Sequence, residues 1–185
     1  EREKELIVTA ALIHDVGCLS LQDRLDTLEF ETKNPDYHCR VGELVLREFE
    51  PLREVAAIIG RHHTPWAGGS GNGAPVSVAA HVIHLADRID ILVDRGDKIL
   101  HQEDRVFSRV ADESGGKFFP EAVDSLNRLR KNEAFWLYMN PHFIDAKLAE
   151  YVAPSTVILS ARSLESFAGI FSYLIDFKSS FTATH

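Results

Sequence analysis

Six histidine and aspartate residues in the first half of this 185-residue chain have the chemistry of metal ligands. The first two, His14 and Asp15, lie inside the apolar segment AALIHDVGCLS. Burying such polar groups in a hydrophobic segment costs free energy unless a bonding partner replaces the lost water. The remaining candidates are His38, the His62-His63 pair and Asp87. Imidazole nitrogens and carboxylate oxygens together suit divalent iron, manganese, zinc or nickel better than calcium.

A donor set of this kind indicates hydrolysis of a phosphate ester. A divalent ion lowers the pKa of a bound water molecule so that a hydroxide nucleophile forms near neutral pH. A carboxylate such as Asp15 can bridge two ions, and we therefore assign Asp15 as catalytic. The sequence predicts these metal ligands: His14, Asp15, His38, His62, His63 and Asp87.

Four other histidines have a simpler interpretation. A single histidine on an apolar face is more often a hydrogen-bonded core residue than a ligand. We give this interpretation to His81, His84, His101 and His142.

Apolar periodicity predicts helices that would position the candidate ligands, and the chain shows no alternating strand pattern. The fold class is therefore all-α. Pro65 disfavours helical geometry at the preceding residue, so one helix should end at or just after the His62-His63 pair. Asp87 shares a helix face with His84 and Asp90. The predicted helices are 6–14, 41–49, 55–62, 76–93, 120–130, 135–138, 143–152 and 164–177.

Composition excludes several function classes. The net charge of −8 argues against a nucleic-acid polymer as partner, because a phosphate backbone requires a basic surface. No run of 18 apolar residues occurs, so we predict no membrane insertion and a cytoplasmic location. Cys18 and Cys39 are the two cysteines, and we expect both to be free thiols.

From about residue 5 to residue 130 the sequence resembles the HD superfamily of metal-dependent phosphohydrolases, and more closely the HD-GYP family. The resemblance rests on the order and spacing of five motifs: ALIHDVG, HCRVGELVL, IGRHHTPWAGGSG, ADRIDIL and GGKFFPEAVDSL. It implies an HD-domain helical bundle with additional C-terminal helices.

The resemblance also implies a site and an activity. The family's ligands match the six residues named above, and its centre holds two or more divalent transition-metal ions, most often iron or manganese, with zinc or nickel as alternatives. Arg95 and Lys98 stand where the family has basic residues that contact substrate phosphates, although a solvated helix end explains them equally well. The implied partner is a cyclic dinucleotide, with cyclic di-GMP first, or another small phosphoester.

Two positions depart from the HD-GYP pattern. Cys18 replaces the lysine of the motif His-Asp-x-Gly-Lys, and the glycine-rich loop near residues 67–75 lacks the Gly-Tyr-Pro element. We expect an HD domain over residues 1–133 without its usual first helix. Residues 134–185 would form a helical extension, with His185 in a segment that resembles the start of a second HD-GYP-like unit. A second such domain or a homodimer is the expected protein partner.

The sequence leaves three functions open. The first is a metal-dependent cyclic dinucleotide phosphodiesterase, which the six ligands favour. The second is a degenerate regulatory or nucleotide-binding module, which Cys18 and the altered loop favour. The third and weakest is an HD nucleotidase or (p)ppGpp hydrolase.

Overall fold

The computed structural model describes residues 2–31, 34–68, 75–151 and 158–178, and these residues form ten α-helices. They contain no β-strand, only an isolated bridge between Ser114 and Phe118, so the all-α class is confirmed. No helix in this part of the chain is long and apolar enough to cross a membrane. The helices are α1 Arg2–Ile13, α2 Leu21–Thr27, α3 Pro35–Leu46, α4 Arg53–Ile59, α5 Val78–Leu92, α6 Glu103–Ala111, α7 Pro120–Leu129, α8 Glu133–Leu137, α9 Pro141–Leu148 and α10 Ala161–Lys178.

The chain divides into two compact units, the first of which contains residues 1–62 and 154–185. In this unit α4 packs against both α1 and α3, and α3 also contacts α10. The buried face of α4 is apolar, with Val55, Ala56 and Ile59 at most 2% exposed. Burial of such side chains stabilises a helix of only seven residues, which would not persist alone in water.

The second unit contains residues 63–153. Its helices α5, α6 and α7 pack on one another around buried apolar side chains that include Ile83, Val106 and Phe118. Farther along the chain, Trp136 is fully buried and its indole Nε1 donates a hydrogen bond of 2.6 Å to the carbonyl oxygen of Arg130. This bond satisfies the polar atom of a large core residue.

Most predicted helices are confirmed, but several boundaries are wrong at the candidate ligands. His14 lies in a turn that follows α1, and the His62-His63 pair lies in the turn after α4. Phe49, placed in a helix by its spacing, lies beyond the end of α3. Apolar periodicity continues through these turns because their side chains still face the core, so the pattern overestimates the length of the helix.

Two short helices, α2 and α6, were not predicted. The start of α2 has a capping box, in which Ser20 Oγ accepts from the backbone nitrogen of Asp23 and the Asp23 carboxylate accepts from that of Ser20. The Ser-x-x-Asp spacing in the sequence could have predicted the start of α2.

The domain boundary expected after residue 133 stays a prediction. His185 and most of the glycine-rich loop lie outside the described residues.

Candidate metal centre

The turn that carries His14 and Asp15 lies directly on α3. The backbone nitrogen of Val16 donates to Ile13 O at 3.0 Å and that of Cys18 donates to Asp15 O at 2.9 Å, so the chain reverses within four residues. A Cβ atom at Gly17 would overlap the carbonyl oxygen of His38. Glycine is therefore required here by the close approach of two backbones, and this approach brings Asp15 to His38 on α3.

Two of the predicted ligands are oriented by their own backbone. Nδ1 of His14 lies 2.7 Å from Ala11 O, and Nδ1 of His62 lies 2.8 Å from Ile59 O. A carbonyl can only accept, so we assign the proton of each ring to Nδ1. Nε2 of each ring then carries the lone pair, which is the arrangement that backbone carbonyls impose on metal-binding histidines.

The remaining donor atoms of the first unit form a chain of short distances. Nε2 of His38 lies 3.4 Å from Nε2 of His62 and 3.5 Å from Oδ1 of Asp15. The other oxygen of Asp15, Oδ2, lies 3.4 Å from Nε2 of His14. The carboxylate thus faces a different histidine with each oxygen, as a bridging ligand would.

These atoms fit a divalent ion. Oδ1 of Asp15 is buried and accepts no hydrogen bond from the described part of the chain, which is costly for a carboxylate without a cation. His38 and His62 are only 3% and 0% exposed. Two ligands bound at about 2.0–2.1 Å and at a tetrahedral angle lie about 3.3–3.4 Å apart, close to the observed separations.

The two cysteines, expected only to be free thiols, also lie among these donors. Neither forms a disulfide bond, and both are buried. Cys39 Sγ lies 3.3 Å from Nδ1 of His62, and the donor atoms of Cys18 and Asp15 lie within 4.8 Å of each other. Burial, followed by the negative charge of Asp15, raises the pKa of the Cys18 thiol well above its usual range. Without a cation the thiol is therefore neutral at physiological pH.

The second unit brings together the other two predicted ligands. Nε2 of His63 lies 3.6 Å from Oδ2 of Asp87. The same oxygen accepts hydrogen bonds from Nη2 and Nε of Arg88 at 2.7 and 3.1 Å, and the Arg88 side chain is only 1% exposed. Sequence analysis missed this buried arginine, because ADRIDIL gives no sign of which charged residues face inward.

The interpretation of the other histidines holds only in part. His81 and His84 are buried on α5, as expected, but Nδ1 of His84 has no hydrogen-bond partner among the described residues. The ring of His84 packs against that of His63 with centroids 5.2 Å apart. Burial, with the nearby Lys117 charge as a smaller cause, lowers the pKa of His84 to about 4, so its ring is neutral. A core position was wrong for His101 and His142, whose side chains are exposed in a 3-10 turn and at the start of α9.

The residues predicted to contact substrate lie on the surface of the second unit. Arg95 is half exposed and its guanidinium pairs with the carboxylate of Asp90. Lys98 is exposed, and its backbone nitrogen donates to Asp97. Asp90 does not share the burial of His84 and Asp87, although the three residues follow at three-residue intervals on α5.

The chain matches one family model and two proteins from Vibrio cholerae. The 3'3'-cGAMP-specific phosphodiesterase 1 of Vibrio cholerae is 30% identical over 200 residues, an alignment that covers all of this chain and 46% of that protein. A crystal structure of a V. cholerae cyclic GMP-AMP-specific phosphodiesterase matches 90% of this chain and 39% of its own, with a TM-score of 0.61 and 21% identity. The chain thus spans less than half the length of each relative. Residues 1–92 match the family model for the HD domain, so the chain contains an HD domain.

Proposed function

We propose that this chain is a metal-dependent phosphohydrolase of the HD-GYP type that hydrolyses a cyclic dinucleotide. The observation that carries the proposal is the convergence of Asp15, His38 and His62 through atoms 3.4–3.5 Å apart, with the His62 ring oriented by a backbone carbonyl. The proposed ligands are His14, Asp15, His38 and His62 in the first unit and His63 and Asp87 in the second.

The residues of the chain hold and orient these donors. The Gly17 turn places Asp15 against α3, and Ala11 O and Ile59 O direct Nε2 of His14 and His62. Arg88 holds the Asp87 carboxylate in one orientation. The chemistry that divalent ions supply at such a donor set is Lewis-acid activation of water and of the phosphate ester.

The choice of substrate class draws on the relatives. Both are described as phosphodiesterases of cyclic GMP-AMP, and the HD-GYP resemblance of the sequence implies cyclic di-GMP. These two molecules share a cyclic phosphodiester backbone and differ in one base. Cyclic dinucleotides as a class are therefore the proposed substrate, with Arg95 and Lys98 as the proposed phosphate contacts.

The test is hydrolysis by the purified chain. Protein supplied with Mn²⁺, or with Fe²⁺ under anaerobic conditions, should convert 3',3'-cyclic GMP-AMP or cyclic di-GMP to a linear product, measured by chromatography. A nucleoside monophosphate and (p)ppGpp in the same panel separate the nucleotidase alternative. Metal-loaded protein that turns over no cyclic dinucleotide would remove the phosphodiesterase proposal.

Asp15→Asn should lower turnover at least about 100-fold, since it removes the charge that faces two histidines. Asp36→Asn is the matched control, because Asp36 is an exposed residue in the first turn of α3. Its turnover should equal that of the wild type. Equal turnover in Asp15→Asn would show that this carboxylate has no part in the reaction.

A regulatory module is the second candidate. The observation in its favour is Cys18, a buried thiol at the position where the HD-GYP motif has a lysine cation. A module of this kind would bind a cyclic dinucleotide in calorimetry and leave it intact. Turnover that disappears in Asp15→Asn would exclude it.

A further inference from the structure

Cys18 lies among the donors of the first unit. Its side chain is 4% exposed, and the ligand atoms of Asp15, Cys18 and His38 all lie within 4.8 Å of one another. His62 contacts this group through His38, since the Nε2 atoms of the two rings are 3.4 Å apart. One sulfur, one oxygen and two nitrogens therefore come from four side chains of one compact unit.

We propose that Cys18 is a metal ligand, and that Asp15, Cys18, His38 and His62 bind a borderline-soft divalent ion, Zn²⁺ before Mn²⁺. The inference rests on the metal binding in the proposed function and adds a thiolate ligand and an ion preference to it. On binding, the sulfur–metal bond forms, and the proton of the thiol is released to solvent.

The composition of this group supports zinc. Structural zinc sites are tetrahedral and combine cysteine sulfur, histidine nitrogen and carboxylate oxygen. Soft thiolates favour zinc, whereas carboxylate and water suit manganese. Replacing the expected lysine by cysteine also removes a positive charge beside Asp15 and supplies a donor that becomes negative when it binds a cation.

Cys39 is the competing sulfur donor, because its Sγ lies 3.7 Å from Nε2 of His38 and 3.3 Å from Nδ1 of His62. Its thiol donates to the carbonyl oxygen of Pro35 at 3.1 Å, one helical turn earlier on α3. Its contact with His62 is with Nδ1, the nitrogen that donates to Ile59 O, and not with the lone pair of Nε2. Cys39→Ser is therefore the comparison that distinguishes the two sulfur atoms, and the thiol bond to Pro35 O is the reason to expect Cys18 to be the ligand.

Cobalt substitution tests the inference without any assay of activity. The metal-free protein is titrated with Co²⁺, whose visible bands report binding and whose near-ultraviolet charge-transfer band reports a thiolate ligand. The wild type and Cys39→Ser should both show the charge-transfer band. Because the chain has two cysteines, the band in Cys39→Ser can come only from Cys18. The band should be absent from Cys18→Ser, whose preference for Zn²⁺ over Mn²⁺ should fall about tenfold.

The possible outcomes separate the two proposals. Visible cobalt bands without a charge-transfer band in Cys39→Ser would overturn the role of Cys18 and leave metal binding intact. A charge-transfer band that persists in Cys18→Ser, or is lost in Cys39→Ser, would assign the sulfur to Cys39 and also overturn the inference. No cobalt binding by the wild type would contradict both the inference and the proposed function.

Discussion

Replacing Arg88 with methionine should destabilise the metal-free protein by about 3–5 kcal/mol, the cost of removing one member of a buried ion pair. Arg88 and Asp87 are only 1% and 9% exposed, and two guanidinium nitrogens contact one carboxylate oxygen. Without the guanidinium, the carboxylate of Asp87 loses two charge-assisted hydrogen bonds in a low-dielectric environment. Urea denaturation monitored by circular dichroism measures the loss.

The chain offers a matched control for this substitution. Arg47 and Glu48 are also a sequence-adjacent ion pair, but they are 54% and 76% exposed. Arg47→Met should change the free energy of unfolding by less than about 0.5 kcal/mol, because exposed pairs contribute little. If Asp87 is a metal ligand, saturating Mn²⁺ should recover part of the stability lost in Arg88→Met. Equal effects of the two substitutions would contradict the assigned role of Arg88.

Gly17→Ala should cost about 3 kcal/mol or more and weaken metal binding together with stability. The new Cβ would overlap the carbonyl oxygen of His38 and lie 2.5 Å from the backbone nitrogen of Gly42. Both neighbours are backbone atoms of α3, so no change of rotamer relieves the overlap. The turn must move away from α3 and take Asp15 with it.

Gly169→Ala provides the comparison for Gly17→Ala within the same unit. Gly169 lies in α10, and a Cβ there would meet no atom within 4 Å. Alanine should stabilise this helix by about 0.5–1 kcal/mol. Thermal unfolding and Mn²⁺ titration of both variants measure the contrast. A Gly17→Ala protein with wild-type stability and metal affinity would show that the close approach is not required.

The candidate metal ligands can be recognised in the sequence because histidine and aspartate are unusual within an apolar segment. His14 and Asp15 interrupt a hydrophobic segment, and the all-α class follows from periodicity. The sequence does not show that these residues lie in turns rather than in helices. That depends on the packing of the turn against α3, which requires Gly17 and involves residues more than 20 positions apart.

Arg88 and Cys18 illustrate what a single sequence leaves out. Arginine beside aspartate on a helix is normally solvated, and only the packing of the second unit leaves Arg88 1% exposed. The sequence motif marks Cys18 only as the replacement of a lysine, whereas its proximity to Asp15 and His38 makes it a candidate donor. The role of each of these two residues depends on the burial of its side chain and on its distance from neighbouring groups, which residue type and spacing do not give.

Metal content of the folded protein tests the central claim most directly. The wild type, His62→Ala and the control His142→Ala are each loaded with metal, dialysed and analysed by mass spectrometry of the elements. His142 is exposed at the start of α9, so its variant should retain about as much metal as the wild type. His62→Ala should bind at least about tenfold more weakly. A wild type without bound metal, or equal metal in all three proteins, would contradict the claim.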